Sequence, residues 1–200
     1  MKITNELKGK QQRAWQRMLS GRKLDILSPS PLDIEIEDIA LGLSRVTRWN
    51  GQTIGNHGYS VAQHSVIVEE VFNFEHPNLN KRWNLAALLH DAPEYVIGDL
   101  ITPFKYALNN SYRYVEDNLM KAIHIRFGLP PELPKSITSK IKKIDKAVAW
   151  HEAINVAGYN KKEAMVILKK PILKYNIEKI SPIGPNIIAK KFLKRFSELF

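Results

Sequence analysis

The chain contains no cysteine. That excludes a disulfide framework, a thiolate nucleophile and a thiolate metal site, so any bound metal is held by nitrogen and oxygen. No apolar run approaches the roughly 20 residues of a membrane span. The first residues are polar and carry no apolar signal core, so the cytoplasm is the expected location and no membrane partner is expected. Aromatic residues make up 9% of the chain. They are not interleaved with the basic residues as on a stacking surface for single strands, and no nucleic-acid partner is expected. Internal repeats and low-complexity tracts are also missing.

What remains is ordinary for a globular protein: 200 residues, 44% hydrophobic and 25% charged, enough for one domain with a real core. The formal charge of +10 is unevenly placed. Residues 133–200 hold 15 Lys and Arg against 5 Asp and Glu, and residues 1–132 hold 15 of each sign. This reads either as a face that attracts an anionic ligand or as a solvated lysine-rich surface. The scatter of the basic residues favours the second.

Hydrophobic periodicity is helical almost throughout. A short amphipathic helix is expected over residues 10–20, ended by Gly21. Ser28-Pro29-Ser30-Pro31 breaks the chain, with Ser30 as a cap and Pro31 at a first helical position. A helix over residues 35–46 ends at Arg48-Trp49-Asn50-Gly51, and a Gly-rich connection runs to Tyr59. In the helix over residues 60–74, Val61, Val68 and Phe72 share a face with His64 in its middle. After a loop comes an apolar helix over residues 82–90. Amphipathic helices follow over residues 111–127, stopped by Gly128 and Pro130, and over residues 139–156, stopped by Gly158. The last, over residues 186–200, is apolar through Ile188, Phe192 and Phe196. Its basic other face would suit a membrane surface, but docking on the core is the better reading. No convincing strand pair is visible. The expectation is one all-α domain spanning residues 1–200, a helical bundle with its core at residues 35–160, a helical leader at 1–30 and a C-terminal amphipathic helix at 186–200.

His90-Asp91 stands at the end of that apolar helix, where a buried titratable pair costs several kcal/mol unless something compensates. His64 is equally out of place on its helix. So is Asp145, one turn from Ile141, Val148 and Ala149. Taken singly, a histidine on an apolar face is more often a satisfied core residue, and a helical aspartate a surface one. Three helices each bringing an acid or imidazole to an inner face point instead to a shared ion. Two imidazoles and two carboxylates suit Mn²⁺, Co²⁺, Fe²⁺ or Zn²⁺, and Mg²⁺ less well. On a six-coordinate ion they leave two positions for water and a phosphate oxygen. Glu94 follows His90 by four residues and Asp91 by three. If the helix continues, the three share one face and Glu94 can act as general acid or base. Arg48 and Lys105 supply cations for a phosphate, Arg48 in bidentate fashion, and Trp49 offers a flat face for sugar or base.

The ordered set His64…His90-Asp91…Asp145 resembles the metal-binding signature of the HD-domain phosphohydrolases. Its local sequences resemble one branch, the bacterial 5′-deoxynucleotidases of YfbR type and the related deoxynucleotide triphosphohydrolases. The matching stretches are Leu43-Ser44-Arg45-Val46-Thr47-Arg48-Trp49, Ser60-Val61-Ala62-Gln63-His64-Ser65, Leu89-His90-Asp91-Ala92-Pro93-Glu94, Gly98-Asp99-Leu100-Ile101-Thr102-Pro103-Phe104-Lys105 and Ile144-Asp145-Lys146-Ala147. The resemblance implies an HD-type helical bundle with His64, His90, Asp91 and Asp145 as metal ligands. Glu94 is then the catalytic acid or base, working beside Asp91. Asp99 accepts a hydrogen bond from the sugar 3′-hydroxyl, Thr102 lies near the phosphate end, and Arg48 and Trp49 pack on the nucleotide and exclude a 2′-hydroxyl. The implied reaction is hydrolysis of deoxynucleoside 5′-monophosphates, with a homodimer as the family's expected assembly. The alternatives are release of triphosphate from dNTPs and a catalytically quiet module that only binds nucleotides. Two features depart from the pattern: Ile101 stands where the nucleotidases carry proline, and the first forty or so residues have no counterpart in the short nucleotidases. His57, His76, His124 and His151 match no motif.

Overall fold

The computed structural model describes residues 14–177 and 179–200, with backbone only at residues 102, 106, 107 and 109–111. The periodic segments fold as helices. In α1 (Ile36–Arg45), Ile39, Ala40 and Leu43 form the buried face. The next helix, α2 (Val61–Glu75), is buried on nearly every side. Ser60 caps it, its hydroxyl accepting from the Gln63 N–H at 3.2 Å, which satisfies one of the open N–H groups at a helix start. Helix α2 is the axis of the domain: α1, α3 (Arg82–Leu88), α7 (Lys135–Asn155) and α9 (Pro185–Leu199) all pack on it. Between them run α4 (Glu94–Ile97), α5 (Thr102–Ala107), α6 (Asn109–Arg126) and α8 (Lys161–Leu168).

One continuous core collects Leu43 from α1, Phe72 from α2, Leu88 from α3, Ile123 from α6, Ile144 from α7 and Phe192 from α9. Each such side chain contributes about 1.5–3 kcal/mol on burial. The backbones come close where α1 meets α4. A Cβ on Gly42 would lie 2.8 Å from the Tyr95 Cβ and 3.0 Å from its carbonyl oxygen, so only glycine lets the two helices approach this closely. As expected, α9 docks on the core. Ile188, Phe192, Phe196 and Leu199 are buried, and Arg195 grips the fully buried Glu69 of α2 through two bonds of 2.5 and 2.7 Å. Among the described residues no helix is long and apolar enough to cross a membrane.

Three expectations are corrected. The segment expected to be a helix over residues 10–20 holds a strand, β1 (Trp15–Arg17), antiparallel to β2 (Lys23–Asp25), with Gln16 opposite Leu24; residues 1–13 of the expected leader lie outside the described residues. Strands of three residues are too short to display a period of two. Tertiary contacts decide the outcome: Leu24 is fully buried, and Asp38 of α1 accepts from the Ser20 N–H at 3.0 Å and from its hydroxyl at 2.5 Å. A strand pair thus exists where none was expected. Second, the helix over residues 82–90 stops at Leu88, and residues 89–93 form turns before α4 begins. The cause is Pro93, which has no N–H for the Leu89 carbonyl and whose ring would clash with it; that carbonyl takes the Ala92 N–H at 2.9 Å instead. Third, the start signal at Ser30-Pro31 yields only a 3₁₀ turn, Pro31–Asp33, with the Ser30 hydroxyl accepting from the Leu32 N–H. Two helices, α5 and α8, form where none was assigned. Helix α8 opens on a capping box in which Asn160 accepts from the Glu163 N–H at 3.0 Å and donates its own N–H to Glu163 at 2.8 Å.

Candidate metal and phosphate site

Three chain segments bring the donors together. His64 sits in the first turn of α2, held by its N–H bond to the Ser60 carbonyl at 3.1 Å. His90 and Asp91 stand on the turns after α3, and Asp145 lies in the middle of α7. Their donor atoms converge. His64 Nε2 is 3.2 Å from His90 Nε2, 3.2 Å from Asp145 Oδ1 and 3.5 Å from Asp91 Oδ2; His90 Nε2 is 3.2 Å from Asp91 Oδ2. Two atoms each about 2.1 Å from one ion are about 3.0 Å apart at a right angle and about 3.4 Å apart at a tetrahedral angle. The spacing and the nitrogen–oxygen donor set therefore fit a first-row divalent ion, and His64, His90 and Asp145 form a group able to hold one.

The electrostatics of the cluster follow from this crowding. Burial alone would raise the Asp91 carboxyl, but His90, His64 and Arg48 hold it well below the usual range. Asp145 is likewise lowered against burial, chiefly by its bond to His64. Burial and the Arg48 charge would both lower the His64 imidazolium, yet Glu152 and Asp145 raise it to about 10.

Glu94 is not an extension of the α3 face, because the helix breaks before it. It reaches the cluster from the first turn of α4 and lines a cavity of about 490 Å³ together with His90, Asp91 and Asp145. The Glu94 carboxyl is almost fully buried, and burial, then Asp91 and Asp99, push it up to about 9. Its Oε1 faces Lys105 Nζ at 3.5 Å, while Oε2 has no partner among the described residues. Met120, His124, Leu133 and Ile141 line the rest of the cavity.

Arg48 and Trp49 stand on the loop between α1 and α2. A backbone bond from the Arg48 N–H to the Tyr59 carbonyl at 2.8 Å and a bridge between Thr47 and Ser60 close its base. Gly58 belongs to this closure, since a Cβ there would fall 2.4 Å from Thr47 Cγ2. Trp49 and Asn50 both adopt positive φ, 58° and 50°. Such backbone costs about 1–3 kcal/mol per residue and persists only where its surroundings hold it. Arg48 donates from Nη1 to Asp91 at 3.4 Å and from Nε to Glu152 at 3.0 Å. The Trp49 ring tilts against Tyr159 at 5.8 Å.

The segment after α4 carries the remaining expected contacts. Asp99 is raised by burial against the pull of Arg48. Thr102 begins α5, and Ile101 before it is exposed. Lys105 faces Glu94 and, at 3.3 Å, Glu116, and these carboxylates raise it despite burial. Among the four unmatched histidines, His124 lines the cavity and its Nδ1 donates to the Pro131 carbonyl, 3.2 Å away.

Sequence reasoning missed Glu152. It is fully buried on α7 and takes His64 Nδ1 at 2.5 Å, Arg48 Nε at 3.0 Å and Trp49 Nε1 at 3.1 Å. Burial would raise this carboxyl, but Arg48 and His64 hold it at about 2. The signal was available: Glu152 lies seven residues after Asp145, two turns along the same helix face.

A model of the family described as 5′-deoxynucleotidase YfbR-like matches residues 41–158, the stretch that carries every donor above. An uncharacterised protein of Rhodobacter capsulatus is 57% identical to this chain over 159 residues, which cover 80% of this chain and 81% of the relative.

Proposed function

From the premise that the chain belongs to the YfbR-like 5′-deoxynucleotidase family of the HD-domain superfamily, we propose that it is a metal-dependent hydrolase of deoxynucleoside 5′-monophosphates, releasing deoxynucleoside and phosphate. One observation carries the reading: four nitrogen and oxygen donors converge beside Glu94, a buried carboxyl with one oxygen free. A divalent ion of the Mn²⁺, Co²⁺, Fe²⁺ or Zn²⁺ type held there would polarise the phosphoryl group and make water acidic. His64, His90, Asp91 and Asp145 are its holders. Glu94 is the proton-moving group, and its free Oε2 is the atom that gives or takes the proton. Arg48 balances phosphate charge through the N–H groups not spent on Glu152 and Asp91, and Lys105 adds a second cation. Trp49, fixed in its strained turn, covers the sugar where a 2′-hydroxyl would stand, and Asp99 and Thr102 bracket the sugar and phosphate. The same reading expects a homodimer in the cytoplasm.

One feature favours a second reading, release of triphosphate from dNTPs. Lys121 and Lys142 line the cavity, and Thr138 and Lys142 also line an adjoining groove that carries Lys135, Lys143 and Lys146. Those cations suit extra phosphates. Stripping the metal, restoring Mn²⁺, Co²⁺ or Zn²⁺ and assaying dNMPs, NMPs and dNTPs separates the two. Phosphate from dNMPs alone supports the first reading and triphosphate from dNTPs the second. No turnover with any metal overturns both and leaves a nucleotide-binding module, which has no use for Glu94.

A further inference from the structure

His64 and His90 face the ion site through the same ring atom, yet the groups behind them differ. Behind His90, the Nδ1 atom meets the Ala87 carbonyl at 2.8 Å, three residues back in the chain. This contact is neutral and local. Behind His64 stands a buried carboxylate from another helix, and that carboxylate also grips the strained turn. We propose that Glu152 is the positioning residue of this site: it fixes the His64 tautomer that presents Nε2 to the ion, and with its other oxygen it holds Arg48 and Trp49 against the same ion. The proposal deepens the reading above and rests on it.

The division of the carboxylate makes the argument. An ionised carboxylate only accepts. Oε1 faces His64 Nδ1 at 2.5 Å, so that nitrogen carries the hydrogen. With the hydrogen at Nδ1, Nε2 would be left as the donor to an ion held together with Asp145 Oδ1 and His90 Nε2, each 3.2 Å from it. Such outer partners orient a ligating histidine and raise its basicity, and their loss typically weakens metal binding 10- to 100-fold. Oε2 accepts twice, from Arg48 Nε and Trp49 Nε1. Both donors belong to the turn where Trp49 and Asn50 hold positive φ, so the bond that anchors the indole also offsets backbone strain. A fully buried carboxylate is costly unless it is paired and hydrogen-bonded, and here three donors from two elements bond it. Asp145 and Glu152 share one face of α7, so a single rigid helix sets a ligand and the support of another ligand.

The amide of Glu152→Gln keeps the shape but has one acceptor. Its oxygen goes to the two donors, Arg48 and Trp49, and its NH₂ then faces His64 Nδ1, which favours a proton on Nε2, the wrong atom. The test measures Mn²⁺ affinity of the folded, metal-stripped full chain, wild type and Glu152→Gln, by titration at a temperature below unfolding. A 10- to 100-fold weaker Kd in the variant is expected, with a raised KM for dNMP at saturating Mn²⁺ because Arg48 and Trp49 lose a charged anchor. Equal Kd values in two folded proteins overturn the positioning role while leaving the proposed activity standing. A wild type that binds no Mn²⁺ overturns both. Should the variant not fold, ¹⁵N–¹H spectra of the zinc-loaded wild type decide: the Nδ1 proton of His64, bonded to a carboxylate, is expected farther downfield than that of His90, bonded to a carbonyl, and equal shifts overturn the proposal.

Discussion

Glu152 Oε1 and His64 Nδ1 lie 2.5 Å apart although 88 positions separate the two residues in the chain. With Asp145, this contact raises the His64 imidazolium to about 10 in the metal-free protein, against the effects of burial and Arg48. A group whose folded pKa is raised contributes stability that is complete below its unfolded value, about 6.5, and is lost as pH rises through the folded value. Thermal midpoints in EDTA should therefore fall between about pH 6.5 and pH 10, and His64→Gln should flatten that slope. A wild-type midpoint independent of pH across this window would show that the imidazolium is not held.

Glu94→Gln should leave Mn²⁺ affinity near that of the wild type and lower kcat by about 10²–10⁴-fold, the usual span for a lost general acid or base. The amide neither gives nor takes the proton but keeps the volume. Single-turnover rates at saturating metal are the measurement, and a fully active variant removes Glu94 from the mechanism.

Asp145→Asn should weaken the ion and shrink its stabilising effect. The proposed ligands come from α2, α7 and the turn after α3, so an ion present at 100 times its Kd would stabilise the fold by about 2.7 kcal/mol. Scans with and without Mn²⁺ should show a clear upward shift for the wild type and a small one for Asp145→Asn. Equal shifts would place the ion elsewhere.

Gly42→Ala should lower stability by about 1–3 kcal/mol from overpacking, offset by up to about 1 kcal/mol of better helix propensity. The new Cβ meets the Tyr95 backbone, which has no rotamer to yield. Because α4 carries Glu94, kcat should fall with stability. A midpoint at or above that of the wild type would mean that α1 and α4 separate without cost.

Arg195→Ala leaves Glu69 buried without its partner. About 3 kcal/mol should be lost, the low end for a broken buried pair, because the Arg195 side chain is itself 26% exposed. The double variant Arg195→Met with Glu69→Gln should recover part of this. Denaturant unfolding measures it, and a double variant no better than the single would deny the coupling.

Much of the bundle was legible because α1, α2, α6, α7 and α9 are long enough to show a 3.6-residue period. The four donors were legible because each is a polar residue on an apolar face. The break at Pro93 was foreshadowed by the proline itself, but helix period alone carried the apolar run past it. The β1–β2 pair was hidden, since its few residues gain their conformation from Asp38 and from the burial of Leu24. Glu152 escaped notice for a different reason. On a lysine-rich helix a glutamate reads as one more surface charge, and only the folding of the loop after α1 and of α2 onto α7 brings three donors to it. Roles that depend on a residue's own helix face are visible in sequence, whereas roles that depend on what another segment presents are not.

The last helix has a consequence for how the chain is made. Phe192 and Phe196 of α9 share a core with Leu43 of α1 and Phe72 of α2, and Arg195 neutralises Glu69 in the middle of α2. During synthesis, residues 36–75 leave the ribosome more than a hundred positions before these partners exist. Until residues 185–199 are made, the central helix carries an uncovered apolar stripe and an unpaired carboxylate, the kind of surface that chaperones hold. The proposed ion site gains its settled core only after that wait, so a chain cut short before α9 would carry every proposed metal ligand with no settled core to fix them.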